Sequence, residues 1–287
     1  MNPALWGLVT ALGWGSADFI ARFTGRALGH ESALLGMLGI SALVFVFLLW
    51  VSGTPLVLDV SGWWLLLLTG LGVMVATLLL YWGLARGPVT LVAPLVGTYP
   101  ALNVAFAVAL GVRPSLLGWA AMLAVMVGVL VVARAARSFE DPAVYTRAHL
   151  RKTIMIALVS SLIFAATLAA AQEAARVYGE LQTVVTARWI SVLCCLGLFL
   201  LRREAPRLPL RWWPILTLQG LLDGGAYLTL VAGGQGAGGE IAIVVSSGFG
   251  VVTVLLARVF LREAMTWAQW GGIVMIVGGV AVLSGGL

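Results

Sequence analysis

An acidic residue stands near the middle of a long apolar stretch, residues 211–233. Gln219 lies four residues before Asp223 and Tyr227 lies four residues after it, so the three side chains share one stripe of a helix. A carboxylate at membrane depth is costly unless it faces other protein or water. The stripe therefore indicates a polar site inside a membrane, where Asp223 binds a substrate ammonium group or carries a proton.

A second interpretation of Asp223 comes from Arg188. This arginine lies in the preceding apolar stretch at a compatible depth, so the two side chains can form a buried ion pair. A structural pair and a substrate site are both consistent with the sequence, and they can coexist. Asp18 has a simpler interpretation, because Arg22 follows it by four residues near the end of the first stretch. That spacing favours an ion pair along one helix.

Aromatic and small polar side chains at similar depth are the other candidates. Each either lines a substrate cavity or serves ordinary helix packing, and the sequence leaves both open. Pro88, Pro94 and Pro100 interrupt the same stretch, where the last two can free backbone carbonyls for a ligand. The predicted substrate-binding residues are Trp14, Tyr81, Tyr99, Asn103, Phe164, Arg188, Gln219, Asp223, Tyr227 and Ser246.

The composition is that of an integral membrane protein. Of the 287 residues, 61% are hydrophobic and 10% are charged, whereas a soluble domain has about 25% charged residues. The apolar segments are too long for barrel strands and do not alternate strictly, so helices are predicted. The net charge of +6 comes from arginines in short connectors, which indicates membrane topology rather than nucleic-acid binding.

Enzymatic chemistry is not predicted. The sequence has no glycine-rich phosphate loop, no metal-ligand cluster and no catalytic triad, so no cofactor or metal is expected. His30 and His149 fall in different connectors, without the acidic cluster that a membrane enzyme would need. Cys194 and Cys195 are adjacent in one apolar segment and are interpreted as packing residues.

Helix-length apolar segments follow one another along the whole chain and predict an all-α membrane protein with ten transmembrane helices. The segments span residues 3–22, 31–51, 62–85, 89–110, 115–134, 152–174, 181–201, 211–233, 240–261 and 265–285. Basic residues outside the segments concentrate in alternate connectors, with Arg113 and Arg176 on the opposite side. The positive-inside rule then places both termini outside the cytoplasm.

The two halves of the chain resemble each other at a constant offset of 150 residues. Residues 5–19 align with 155–169, and residues 68–82 align with 218–232. This offset matches Trp14 with Phe164 in the aligned stretches. Inverted repeats of this kind are typical of alternating-access transporters with a site near the midplane.

Three regions follow from the repeat. Residues 1–134 form a first five-helix repeat, residues 135–151 a cytoplasmic linker, and residues 152–287 a second five-helix repeat. Because each repeat has an odd number of helices, the second is inverted in the membrane. Two repeats suffice to enclose a cavity, so a monomer could function alone.

Three motifs resemble a known family. WGSADF at 14–19, RGPVTLVAPL at 86–95 and VFLREAMTWAQWGGIVMIVGGVAVL at 259–283 are similar to EamA-type members of the drug/metabolite transporter superfamily. The resemblance implies ten helices and transport of small metabolites, and the layout is similar to amino-acid exporters, including the aromatic amino acid exporter. The chain departs from the pattern at Ser246-Ser247-Gly248, where many relatives carry proline, so no proline is present to break this helix.

The predicted function is export of small metabolites across the bacterial inner membrane. Amino acids, including aromatic ones, are the predicted substrates, and alternating access around a cavity between the repeats is the predicted mechanism. The alternative is a proton-coupled exporter of drugs or organic cations that uses Asp223 for both proton and substrate. The expected partners are the small-molecule substrate and membrane lipid.

Overall fold

The computed structural model describes residues 3–99, 101–102, 105, 115–139, 146–234, 239–246, 248–262 and 265–285. All regular structure in these residues is helical. The helices are α1 (Pro3–Leu28), α2 (His30–Ser52), α3 (Trp63–Arg86), α4 (Val89–Val96), α5 (Leu116–Phe139), α6 (Arg147–Tyr178), α7 (Glu180–Arg202), α8 (Trp213–Gly234), α9 (Gly239–Ser246), α10 (Phe249–Leu256) and α11 (Trp267–Gly285).

The described helices fit the ten predicted spans. Helices α2, α3, α6, α7 and α8, the last with its preceding turn, are long and apolar enough to cross a membrane by length and composition. The fourth span is described mainly through α4, and the ninth consists of α9 and α10 in succession. The prediction of an all-helical, ten-span membrane protein is therefore confirmed.

Helix packing follows a pseudo-twofold pattern. Helix α1 packs on α8, and its repeat counterpart α6 packs on α3; α2 packs on α7, and α5 packs on α11. Exchanging the repeats converts the α1–α8 contact into the α6–α3 contact. The same exchange leaves the α2–α7 and α5–α11 contacts unchanged. With five spans in each repeat, this pairing corresponds to two inverted copies.

Two glycines that align in sequence make equivalent close contacts. A Cβ on Gly70 of α3 would lie 3.0 Å from the backbone oxygen of Ala187 in α7, and one on Gly220 of α8 would lie 2.8 Å from the backbone oxygen of Met37 in α2. Ala187 and Met37 are themselves 150 residues apart. Small residues therefore set the distance between helices at corresponding places in both repeats.

The connectors repeat as well. A single residue joins α1 to α2 and α6 to α7, namely Gly29 with φ of 84° and Gly179 with φ of 76°. These angles lie in the left-handed region that glycine occupies without steric cost. After α2 and α7, the corresponding residues are Gly53 with φ of 61° and Arg203 with φ of 55°, so the second repeat carries a side chain in a glycine conformation.

A break in the ninth span occurs without proline. Helix α9 ends at Ser246 and α10 begins at Phe249, while the N–H of Gly248 bonds to the carbonyl of Val245 at 3.1 Å. In the first repeat α4 ends at Val96, two residues beyond Pro94, and the break falls at the matching place. Glycine thus stands near the second-repeat break, where no proline is present.

The connector between α2 and α3 is tied to the second repeat. Gln182 accepts a hydrogen bond from the N–H of Val57 and donates one to its carbonyl, each at 2.9 Å. The hydroxyl of Tyr178 donates to the backbone oxygen of Asp59 at 2.6 Å. The N–H and hydroxyl of Ser61 both donate to the Asp59 carboxylate, which lowers the pKa of that exposed group.

Candidate functional site

A cavity lies between the two repeats and is lined from both. Its walls come from α1, α3, α6, α7, α8, the start of α10 and the segment after α4. The lining residues are Trp14, Asp18, Val73, Thr77, Leu80, Tyr99, Phe164, Thr167, Leu168, Arg188, Asp223, Tyr227 and Phe249. Trp14, Tyr99, Phe164, Arg188, Asp223 and Tyr227 were all predicted as substrate-binding residues.

The cavity wall is built largely from residues that correspond between the repeats. At the offset of 150 residues, the lining pairs are Trp14 with Phe164, Asp18 with Leu168, Val73 with Asp223, Thr77 with Tyr227, and Tyr99 with Phe249. Each of the two acids thus aligns with an apolar residue of the other repeat. The backbone of the site follows the repeat, whereas its charge does not.

Arg188 and Asp223 form a buried ion pair across this wall. Arg188 Nη2 lies 2.6 Å from Asp223 Oδ2 and 3.5 Å from the Asp223 carbonyl oxygen. The guanidinium carbon also lies 5.0 Å from the centre of the Tyr227 ring, in a cation–π contact. Arg188 Nε and Tyr227 Oη have no hydrogen-bond partner among the described residues. Both are polar atoms that a ligand could satisfy after a small movement of the wall.

Aromatic rings form another part of the wall. The ring centres of Trp14 and Phe249 lie 5.9 Å apart in an edge-to-face arrangement, and those of Tyr99 and Phe249 lie 6.3 Å apart at 23°. The hydroxyl of Tyr99 is 3.0 Å from Ser246 Oγ. Ser246 therefore supports Tyr99 from behind and is not among the lining residues. Phe249 was missed in the sequence, although its correspondence to Tyr99 in the repeat could have indicated it.

Gln219 and Tyr81 lie beside the cavity and bind each other. Gln219 Nε2 donates to the Tyr81 hydroxyl at 2.6 Å, and Thr24 Oγ1 donates to Gln219 Oε1 at 3.0 Å. All three side chains are buried. We call Thr24, Tyr81 and Gln219 the Gln219 layer; it ties α8 to α1 and α3 on the predicted cytoplasmic side of Asp223. Predicted residue Asn103 lies outside the described residues.

Asp18 does not form the ion pair with Arg22 that the sequence predicted. Arg22 donates from Nη1 to the carbonyl of Leu84 at 3.4 Å. In the described parts of the chain, no hydrogen bond or ion pair joins Asp18 to Arg22. Asp18 is instead buried at the cavity wall, one helical turn from Trp14. The two residues point to different surroundings because α1 is packed by other helices on several sides.

Comparison with known proteins identifies the family. The family model for EamA-like transporters matches residues 1–134 and again residues 151–285. The chain belongs to the EamA-like transporter family. A crystal structure is similar to this transporter with a TM-score of 0.68 at 19% sequence identity, over 98% of this chain and 96% of that chain. At that identity the likeness shows the fold alone. No curated protein matches the sequence.

Family membership makes the chain a multi-pass membrane transporter of small solutes. In this EamA-like transporter, the cavity combines one guanidinium, two carboxyl groups and an aromatic wall within the membrane-spanning region. Such a set can hold a small ligand that carries both charges and an apolar part. Across the parts of the chain that the structure describes, no group of three or more His, Cys, Asp and Glu could hold a metal ion.

Proposed function

We propose that this EamA-like transporter exports amino acids, including large neutral and aromatic ones, across the bacterial inner membrane. The observation that carries the proposal is the Arg188–Asp223 pair at 2.6 Å in a cavity with an aromatic wall. A zwitterion offers a carboxylate and an ammonium group to such a pair, and its side chain can pack on Trp14 and Phe249. These contacts correspond to the three chemical parts of an aromatic amino acid.

The proposed mechanism is alternating access between the repeats. Residues 1–134 and 152–287 rock against each other around the cavity, joined by the cytoplasmic linker at 135–151, and a single chain contains both halves. The cavity has a volume of about 30 Å³. A volume of that size has room for a few water molecules. An amino acid therefore enters only after the walls move apart, which is the motion that alternating access provides.

The second candidate is a proton-coupled exporter of organic cations. It is favoured by the excess of acid in the cavity, where Asp18 and Asp223 stand against Arg188. In this version Asp223 exchanges a proton for a cationic substrate. An imposed pH gradient would then drive uptake of a labelled organic cation, and Asp223→Asn would abolish that coupling.

Flux through purified protein in liposomes tests both candidates. Vesicles loaded with labelled phenylalanine or leucine should lose label faster than protein-free vesicles, and excess unlabelled amino acid should slow the loss. Asp59→Asn removes a carboxylate on an exposed connector and should leave the flux unchanged, as a matched control for variants in the cavity. The absence of flux for every amino acid tested would refute the amino-acid proposal. Gradient-independent flux would refute proton coupling.

A further inference from the structure

Asp18 is a buried acid of the cavity that the Arg188–Asp223 pair does not explain. Its side chain lines the cavity and is 5% exposed. Among the described residues, no hydrogen bond or ion pair to its carboxylate is formed. A carboxylate in the membrane interior without a partner is costly, and such residues mark ligand or ion sites. The position therefore needs a positive ligand or a proton when the transporter works.

The charges around Asp18 leave room for one more cation. Helix α1 packs on α2, α3, α8, α9 and α10. Of the groups that share its cavity, α8 contributes Asp223 and α7 contributes Arg188, whereas the lining side chains of α3 and α10 are uncharged. Arg188 is already 2.6 Å from Asp223. With all three groups ionised, the cavity carries one negative charge in excess, and Asp18 is its unmatched member.

We propose, on the basis of the amino-acid function above, that Asp18 binds the ammonium group of the substrate. Arg188, held in place by Asp223, then binds the substrate carboxylate. This assigns to Asp18 the ammonium contact that both the sequence and the proposed function gave to Asp223, because Asp223 is engaged by Arg188. The carboxylate that binds the substrate ammonium group thus lies in the first repeat, and the guanidinium that binds the substrate carboxylate lies in the second.

The surroundings of Asp18 suit an organic ammonium group. Trp14 lies one turn before it on α1, and the Trp14 and Phe249 rings meet edge to face at 5.9 Å. Aromatic faces attract cations, so a ligand ammonium beside Asp18 gains a second favourable contact. Arg188, which also lines the cavity, has a buried Nε without a hydrogen-bond partner in the described chain, and a ligand carboxylate would supply one.

Separate probes for the two charges test this assignment. Phenethylamine carries the ammonium group without a carboxylate, and 3-phenylpropionate carries the carboxylate without an amine. Each is tested as an inhibitor of phenylalanine flux in liposomes, with wild type, Asp18→Asn and Asp59→Asn. In Asp18→Asn, inhibition by phenethylamine should weaken by about tenfold or more, whereas inhibition by 3-phenylpropionate should change by less than about threefold. Asp59→Asn should behave as wild type.

Binding in detergent keeps the proposal testable when flux is lost. Phenethylamine should raise the melting temperature of the wild type and of Asp18→Glu, which keeps the charge, but not of Asp18→Asn. If phenylalanine is not transported yet the amine still binds through Asp18, the amino-acid function fails and the cation site stands. If the amine stabilises Asp18→Asn as much as wild type, or does not bind wild type, the assignment is overturned. If inhibition by phenethylamine and by 3-phenylpropionate weakened equally in Asp18→Asn, Asp18 would have a structural role and the assignment would be overturned.

Discussion

The Arg188–Asp223 pair can be tested by replacing each residue with the one at the equivalent position of the first repeat. At the offset of 150 residues, Arg188 corresponds to Leu38 and Asp223 corresponds to Val73, both of which are buried. The test compares Arg188→Leu, Asp223→Val and the double variant. Each single change leaves one buried charge without its partner, whereas the double change gives both repeats the same apolar residues.

The expected magnitudes follow from burial of the pair. Arg188 is 2% exposed, and the charged atoms lie 2.6 Å apart. Breaking such a pair should lower the free energy of unfolding by about 3–5 kcal/mol in each single variant. The double variant should lie within about 2 kcal/mol of wild type, because apolar replacement of a buried pair is often neutral. The coupling between the two changes should then exceed about 2 kcal/mol.

Chemical denaturation in detergent measures the four free energies, and liposome flux measures function. The double variant should fold like wild type but lose transport, because it lacks the Arg188 guanidinium that is proposed to bind the substrate carboxylate. If the double variant were as unstable as the sum of the single variants, the two charges would not act as a pair. If it retained amino-acid flux, the pair would be structural and the proposed function would lose its main support.

Three further predictions concern packing and conformation. Gly220→Ala should lower the free energy of unfolding by about 1–3 kcal/mol, since its Cβ would lie 2.8 Å from a backbone oxygen of α2; Gly225→Ala on the same helix has no atom within 4 Å and should be neutral or stabilising in the same denaturation assay. Arg203→Gly should raise the free energy of unfolding by about 1 kcal/mol because it relieves a φ of 55°, and an unchanged or lower value would contradict the strain argument. Gln219→Leu should remove the hydrogen bond to Tyr81, which lies between the cavity and the predicted cytoplasmic side. A cysteine introduced in the cavity should then react roughly tenfold faster with a thiol reagent added on the cytoplasmic side. An unchanged reaction rate would show that this hydrogen bond does not help to close the cavity toward the cytoplasm.

The sequence predicted the spans and the repeat because both depend on local patterns. Membrane-length apolar segments are recognised one at a time, and a constant offset compares each segment with a single partner. The same offset could have predicted more, since it relates Phe249 to Tyr99 and both line the cavity. Glycine contacts such as those of Gly70 and Gly220 also follow it.

The roles of individual polar residues were harder to predict. Four-residue spacing places Gln219 and Tyr227 on one stripe with Asp223, yet Tyr227 lines the cavity while Gln219 bonds to α3. Spacing along one helix does not fix the rotation of that helix against its neighbours. For the same reason, the spacing of Asp18 and Arg22 did not produce the predicted ion pair.

The Gln219 layer bears on how often the transporter would be found in its inward-facing and outward-facing states under the proposed mechanism. A perfectly repeated inverted chain would have inward-facing and outward-facing states of equal free energy. The counterparts of the layer in the other repeat are Ala174, Thr69 and Val231, which cannot form the same two side-chain bonds. In the proposed alternating-access cycle, bonds that form only in the state closed to the cytoplasm would favour that state, by roughly tenfold at about 0.5–1.5 kcal/mol for each of the two bonds. In that proposed cycle, the unloaded transporter would rest mainly in the outward-facing state, and its return to the inward-facing state would require both bonds to break.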